Sequence, residues 1–175
     1  MSAFIKYYLE RMMKLKEKIN EEGFVFSKFE PNLDIYNEIL NTEEPNDKIK
    51  NFFRKAIGNF GIIPGNLHTV YEDITLGLFH ELHTHLIQAD FQVVVWAPQD
   101  NYEGRAYVYG TRGNLKKFYP KYGDMVFMKT NDLNFIHGVE PLENDTLVRT
   151  MLLSVNYTGT DGKHLTVSAD DYRSI

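Results

Sequence analysis

The strongest constraint on the fold is a change in sequence pattern at Pro64. Beyond it, short segments rich in Val, Tyr, Phe and Thr alternate with turn residues, which is typical of an antiparallel β-sandwich or barrel. The predicted strands cover residues 67–76, 79–87, 91–97, 104–110, 117–119, 124–129, 134–139 and 147–157. We therefore predict a mainly β fold for this part of the chain.

Helices are predicted before Pro64. Apolar residues recur at spacings of three and four over residues 3–22, and Gly23 ends this pattern. Two further helices are predicted over residues 33–41 and 46–57, with a short strand at 24–26. We expect a single domain over residues 1–175, divided into N-terminal helices packed on the barrel (1–60), a barrel core (65–157) and a polar C-terminal extension (158–175).

Composition excludes several classes of function. The formal net charge is −5, whereas nonspecific nucleic-acid binding needs a basic surface, so we expect no nucleic-acid partner. Cysteine is absent, which excludes disulfides, Cys-ligated metal sites and a Cys nucleophile. The longest apolar runs, such as Val93–Ala97, are too short to cross a bilayer, and residues 1–8 lack the layout of a signal peptide. We expect a cytoplasmic protein with a small-molecule substrate and no membrane partner, either monomeric or homo-oligomeric.

The histidines are the main candidates for chemistry. Residues two apart on a strand share a face, so His83 and His85 can reach one metal ion together. His137, near the end of a later predicted strand, is the candidate for a third ligand. Imidazole ligands suit iron, zinc, copper and nickel. The alternative interpretation is that these are exposed or hydrogen-bonded strand histidines. The other three are interpreted as non-ligands: His68, His80 and His164.

Several short motifs resemble those of a known enzyme family. His83-Thr-His85, His137-Gly-Val-Glu-Pro141 and Arg149 are similar in order to the His-x-Asp/Glu pair, the distal histidine and the arginine of the iron(II)/2-oxoglutarate-dependent oxygenases. Further segments with this resemblance are residues 22–26, 102–109 and 119–127. The resemblance implies a double-stranded β-helix, that is, a jelly-roll or cupin-like barrel. It also implies an oxygenase that uses Fe(II), O2 and 2-oxoglutarate to hydroxylate a small molecule or a carrier-bound unit.

In that family the arginine binds the far carboxylate of 2-oxoglutarate. Arg149 shares the more apolar face of its strand with Met151, Leu153 and Val155. We expect this face to be the barrel interior, where a buried arginine needs an anion. The alternative is a salt bridge to an acidic residue of the protein.

The sequence departs from the family at position 85, where the family has a carboxylate and this chain has His85. Asp90 is an alternative ligand, and the spacing of His83, His85 and Asp90 also resembles the first cupin motif. Two other functions therefore stay open: a three-His cupin-type enzyme without 2-oxoglutarate, such as a thiol or diketone dioxygenase, and a non-catalytic metal- or ligand-binding barrel.

Five other residues are weaker candidates for the site. Gln92 and Trp96 share a strand face that we place near the metal, and Tyr107 and Tyr109 share one that we expect to line a pocket. Glu81 lies on the strand face of the candidate ligands and is a candidate for orienting one of them.

Overall fold

The described part of the chain contains three helices, all close to their predicted positions. The computed structural model describes residues 3–62, 64–74, 80–98, 106–140 and 147–166. The helices are Ala3–Glu22 (α1), Leu33–Asn41 (α2) and Asp47–Gly58 (α3). The side-chain oxygens of Asn32 and Asn46 accept hydrogen bonds from backbone N–H groups in the first turns of α2 and α3. These two asparagines therefore fix where the helices begin.

Within the described residues, ten strands form two antiparallel five-stranded sheets. The first sheet has the order β1-β7-β4-β9-β2, and the second has the order β10-β3-β8-β5-β6. The strands are Phe24–Lys28 (β1), Leu67–Ile74 (β2), His80–Gln88 (β3), Phe91–Pro98 (β4), Tyr107–Thr111 (β5), Asn114–Phe118 (β6), Asp124–Met128 (β7), Phe135–Val139 (β8), Val148–Val155 (β9) and Gly159–Thr166 (β10).

The first sheet is buried on both faces. One face, here called the helix-covered face, packs Val93, Phe127 and Leu153 against helix residues such as Ile39 and Phe53. The other face, here called the interior face, turns toward the second sheet. The molecule therefore has three layers, and the barrel interior lies between the two sheets.

The interior face is apolar over part of its area. Trp96 of β4 and Leu152 of β9 form one buried cluster there with Tyr107 of the second sheet. Both faces of β9 thus carry buried apolar residues, and this alternation decides where its polar residues point.

Two strands differ most from the sequence-based expectation. Strand β6 covers Asn114–Phe118, earlier than the expected 117–119, because the turn at Gly113 (φ +78°) brings Asn114 opposite Thr111. Gly159–Thr166, expected in the polar extension, forms β10 and pairs with β3. Strand β10 is polar and was difficult to recognise because its partner precedes it by more than 70 residues. None of the helices in the described part of the chain combines the length and apolar character of a membrane-spanning helix.

Candidate metal centre

The second sheet brings three histidines together inside the barrel. His83 and His85 lie two residues apart on β3, so both side chains point to the same face. His137 on β8 lies directly opposite His83 in the antiparallel register. All three side chains are buried, with 5–9% of each residue exposed.

Their ring nitrogens converge. The Nε2 atoms of His83 and His85 are 2.8 Å apart, and one ligand nitrogen from each of the three rings lies within 4.8 Å of the others. Two neighbouring ligands at metal–nitrogen distances of about 2.1 Å are themselves roughly 3 Å apart at right angles. The spacing of His83 and His85 therefore fits adjacent coordination positions on one ion, and His137 is close enough to provide a third.

A hydrogen-bond chain from the first sheet orients His85. His85 Nδ1–H donates to Oε1 of Gln92, and Nε2 of Gln92 donates to Oγ of Ser154 at 2.9 Å. Gln92 and Ser154 are cross-strand partners on β4 and β9, and both are buried. Because Nδ1 carries the proton in this arrangement, the lone pair of His85 lies on Nε2, which faces the other histidines.

Aromatic residues shield the cluster. Tyr107 lies 5.7 Å from His137 between ring centroids, and Trp96 packs edge-to-face on Tyr107 at 5.1 Å. Burial, followed by the charge of Glu72, raises the pKa of Tyr107 well above its usual value. Tyr107 therefore stays protonated, and its hydroxyl donates to Sδ of Met128 at 3.7 Å. Tyr109 packs further along, against Phe24 and Phe26, and burial raises its pKa too.

A cavity of about 20 Å³ adjoins His83 and His137. Its described lining is Glu72, His83, Val94, Trp96, Tyr107, His137, Gly138, Val139, Thr150 and Leu152. Glu72, Thr150 and Ser154 are not among the residues predicted for the site from the sequence. The alternation of β9 would have placed Thr150 and Ser154 in the interior, had its faces been assigned correctly.

Comparisons with known proteins support the fold. No family model matches the chain, and no curated protein sequence does. Solved structures do match. A prolyl-4-hydroxylase from Pseudomonas putida is 11% identical with a TM-score of 0.54, and the match covers 85% of this chain and 92% of that chain.

Two further solved structures are similar. A prolyl hydroxylase from Trichoplax adhaerens, in complex with a fragment of the hypoxia inducible factor oxygen degradation domain, is 10% identical with a TM-score of 0.59, and 89% and 94% of the two chains are covered. An oxidoreductase of the 2OG-Fe(II) oxygenase family from Burkholderia pseudomallei is 13% identical with a TM-score of 0.59 and 86% and 92% coverage. The chain has the fold of these oxygenases. The predicted double-stranded β-helix is therefore confirmed.

The expected position of Arg149 in the barrel interior is wrong. Its guanidinium lies on the helix-covered face, where Nε and Nη2 donate to the two carboxylate oxygens of Asp73 at 2.7 Å each. Nη1 donates to the backbone carbonyls of Ile39 and Thr42 at 2.7 and 2.6 Å. Hydrogen bonding to Asp73 also raises the pKa of Arg149. Arg149 therefore links the barrel to the α2–α3 connection and is already paired with a carboxylate.

The reason for this error is the helix layer. The apolar face of β9 was assigned to the interior, but Met151, Leu153 and Val155 pack beneath the helices instead. The interior face of β9 carries Thr150, Leu152 and Ser154, and it is more polar because it contributes to the site.

The alternative ligand Asp90 is also corrected. Asp90 lies in the turn between β3 and β4, and its Oδ2 accepts hydrogen bonds from Lys16 at 2.7 Å and Asn156 at 2.8 Å. It does not belong to the histidine cluster.

The remaining histidines and Glu81 are placed as follows. His68 is exposed on β2 and stacks on Tyr157 at 4.7 Å between centroids. The side chains of His80, Glu81 and His164 lie outside the described part of the structure.

Proposed function

We propose that this protein is a mononuclear non-haem iron(II) oxygenase that hydroxylates a small molecule or a carrier-bound unit, with O2 and 2-oxoglutarate as co-substrates. His83, His85 and His137 would hold the iron. The observation that carries the proposal is the convergence of these three buried imidazoles inside a barrel whose fold is that of 2OG-Fe(II) oxygenases.

The donor set suits iron. Three neutral imidazole nitrogens leave coordination positions of an octahedral ion open, and imidazole is a ligand that Fe(II) accepts. When bound, the iron would supply the redox chemistry with O2. The protein's part is to orient its ligands through Gln92 and to exclude water with Trp96 and Tyr107, both of which are buried.

A 2-oxoglutarate co-substrate requires a binding group for its far carboxylate. Its decarboxylation to succinate and CO2 accompanies hydroxylation of the substrate, and one oxygen atom of O2 enters each of the two oxygenated products. Its far carboxylate needs a cation or hydrogen-bond donors in a dry pocket. Arg149 is not available to bind this carboxylate, because it is paired with Asp73 on the helix-covered face of the sheet.

A second candidate is a three-His iron oxygenase that does not use 2-oxoglutarate. A specific observation favours it: a histidine stands at position 85, where the 2-oxoglutarate-dependent family has a carboxylate.

The test separates the two candidates from each other and from a barrel that binds no iron. Untagged protein is purified without oxygen, its metal content is measured, and O2-dependent conversion of 2-oxoglutarate to succinate is followed. Stoichiometric iron with succinate formation supports the 2-oxoglutarate oxygenase, and iron without it supports the second candidate. A protein that neither retains nor binds added Fe(II) would contradict both. His137→Ala is the matched negative control, because it should abolish iron retention and any turnover together.

A further inference from the structure

A groove of about 600 Å³ lies at the edge of the first sheet and is here called the edge groove. Its lining includes six consecutive residues, 66–71, of β2 and the turn before it, together with Glu43 and Glu44 of the α2–α3 connection. Successive side chains of a strand point to opposite faces, so six in a row line one groove only where the groove follows the edge of the strand. Within the described residues, β2 is the last strand of this sheet.

The register of β2 shows which backbone groups face the edge groove. The carbonyl of Asn66 accepts a hydrogen bond from the N–H of Asn156 at 2.7 Å, and this pair continues the β2–β9 register. In antiparallel strands, pairs that exchange hydrogen bonds alternate with pairs that do not. The even-numbered residues of β2 therefore bond to β9, whereas Leu67, Thr69 and Tyr71 direct their N–H and C=O groups away from it. These backbone groups have no partner among the described residues, so they form a template for a further strand.

The charge of the lining indicates what kind of strand fits. Glu43 and Glu44 are exposed, and neither forms an ion pair with another described residue. Lys50, which is half-buried, supplies the one ammonium group of the described lining. The two carboxylates outweigh it, so the edge groove favours a basic partner. Pairing of two copies of this chain edge to edge would instead bring like charges toward each other.

We propose that the edge groove binds an extended, basic peptide segment of a partner protein, which joins the first sheet as a strand beside β2. Backbone hydrogen bonds to Leu67, Thr69 and Tyr71 provide affinity, and the two glutamates select lysine or arginine side chains. The edge from Leu67 to Tyr71 is about 14 Å long at about 3.4 Å per residue, so the segment needs at least about five residues. This surface is independent of the proposed function, because it shares no described lining residue with the cavity beside the histidines.

Peptide binding to the wild-type protein tests the proposal. The probe is a labelled seven-residue peptide of alternating lysine and valine with blocked ends, and fluorescence anisotropy at pH 7.5 measures its binding. We expect saturable binding that weakens with added salt, and binding at least about tenfold weaker when glutamate replaces lysine.

N-methylated peptides test whether the backbone of the peptide pairs with β2. One version is methylated on the lysine amides and the other on the valine amides. Successive amides of a strand point to its two edges in turn, so one version should lose binding and the other should keep it.

Proline variants test the register of β2. Thr69→Pro removes an N–H group that points into the edge groove, and proline is accepted at such positions of edge strands. We expect this variant to fold and to lose peptide binding. His68→Pro is the matched control, because it removes an N–H group on the side that pairs with Ser154 of β9. It should lower the Tm instead.

A second pair of variants tests the charge. Glu43→Gln combined with Glu44→Gln should weaken binding of the basic peptide about tenfold and reduce its salt dependence. The matched control combines Glu17→Gln with Glu21→Gln, two exposed glutamates of α1 that do not line the edge groove. The control should bind the basic peptide as the wild type does.

Three results with the wild-type protein overturn the inference: no saturable binding, equal binding of the basic and acidic peptides, or equal binding of the two methylated peptides. They decide the question even if Thr69→Pro does not fold. Sedimentation velocity tests the other occupant. A wild-type dimer that Thr69→Pro converts to a monomer would show that a second copy fills the edge groove and would contradict a peptide partner, whereas a monomer that binds the basic peptide supports the proposal.

Discussion

Two neighbouring polar residues on opposite faces of the first sheet differ in their hydrogen bonding. On the helix-covered face, Arg149 makes four hydrogen bonds to Asp73, Ile39 and Thr42. On the interior face, the adjacent Thr150 has a buried hydroxyl with no partner. The fold itself therefore satisfies the polar atoms of Arg149 but leaves the neighbouring hydroxyl of Thr150 without a partner among the described residues.

The stability of the two regions has different origins. The guanidinium of Arg149 also lies 4.6 Å from the centre of the Tyr71 ring, and Tyr71 contacts Thr42 at 3.0 Å. These contacts hold the α2–α3 connection on the sheet. The interior instead holds three imidazoles whose nitrogens are closely spaced, an arrangement that a bound cation would stabilise. Substitutions on the helix-covered face should therefore change stability, and those in the interior should change ligand binding.

The largest effect is expected from the histidines. His85→Ala removes one of three ligand nitrogens, and we expect metal affinity to fall by more than about 100-fold, beyond the effect of losing an outer partner of a ligand. The fold should be retained in the metal-free state. The measurement is Fe(II) content and competitive metal titration under anaerobic conditions. His68→Ala is the control, because His68 is exposed and is not one of the three converging histidines, so its replacement should not affect metal content. Full iron content in His85→Ala would contradict the three-His site.

Gln92 should have the next largest effect. Gln92→Leu removes the acceptor of the His85 Nδ1 proton, so His85 is no longer held in one tautomer and orientation. We expect metal affinity to fall about 10- to 100-fold. Gln92→Glu keeps an acceptor and should restore most of the affinity, and the ligand-field spectrum of the Co(II) form should change in Gln92→Leu alone. The exposed Gln88 provides the control, as Gln88→Leu. Unchanged Co(II) spectra and affinities would show that Gln92 only fills space.

Arg149 tests the other side of the comparison. Arg149→Gln removes a bidentate contact with Asp73, and we expect a loss of roughly 2 kcal/mol in the free energy of unfolding, reduced by the partial exposure of Asp73. This corresponds to a fall in Tm of roughly 4–8 °C. Metal affinity should not change. Lys48→Gln, which removes a more exposed pair with Glu38, is the control and should lower the stability much less. If Arg149→Gln lost 2-oxoglutarate binding while keeping its stability, Arg149 would instead be a 2-oxoglutarate-binding residue.

The sequence predicted the parts of the structure that depend on local pattern. The helices from Ala3 to Glu22 and from Leu33 to Asn41 follow from the spacing of apolar residues. The shared face of His83 and His85 follows from strand alternation alone. Each of these features depends only on residues close together in the sequence, so the local pattern is sufficient to predict it.

Contacts between distant residues were the parts that could not be predicted. Arg149 pairs with Asp73, which lies 76 positions away in the sequence. Strand alternation correctly grouped Arg149 with Met151, Leu153 and Val155, but it could not show that this group of residues packs beneath the helices. Apolar character indicates how deeply a face is buried, not what covers it, and both faces of β9 are buried. The contacts of Gln92 with His85 and Ser154 also cross between strands, so sequence parity could place Gln92 near the site but could not identify its partners.

Asp90 should show the smallest effect, and one that depends on pH. Burial raises the pKa of Asp90, but the hydrogen bonds from Lys16 and Asn156 outweigh it and hold this pKa below its usual value. The associated stabilisation is therefore present above the unfolded-state pKa of about 3.9 and is lost as the pH falls through the lower folded-state value. Asp90→Asn should cost under about 1 kcal/mol at pH 7, because the Lys16 pair is about one-third exposed, and the difference from wild type should shrink below pH 4 and in 1 M salt. Urea unfolding of both proteins at pH values from 7 to 3 measures this difference in the free energy of unfolding. Iron content should equal that of the wild type, since Asp90 faces Lys16 rather than the histidines. A variant that lost iron while keeping its stability would show that Asp90 belongs to the metal site after all.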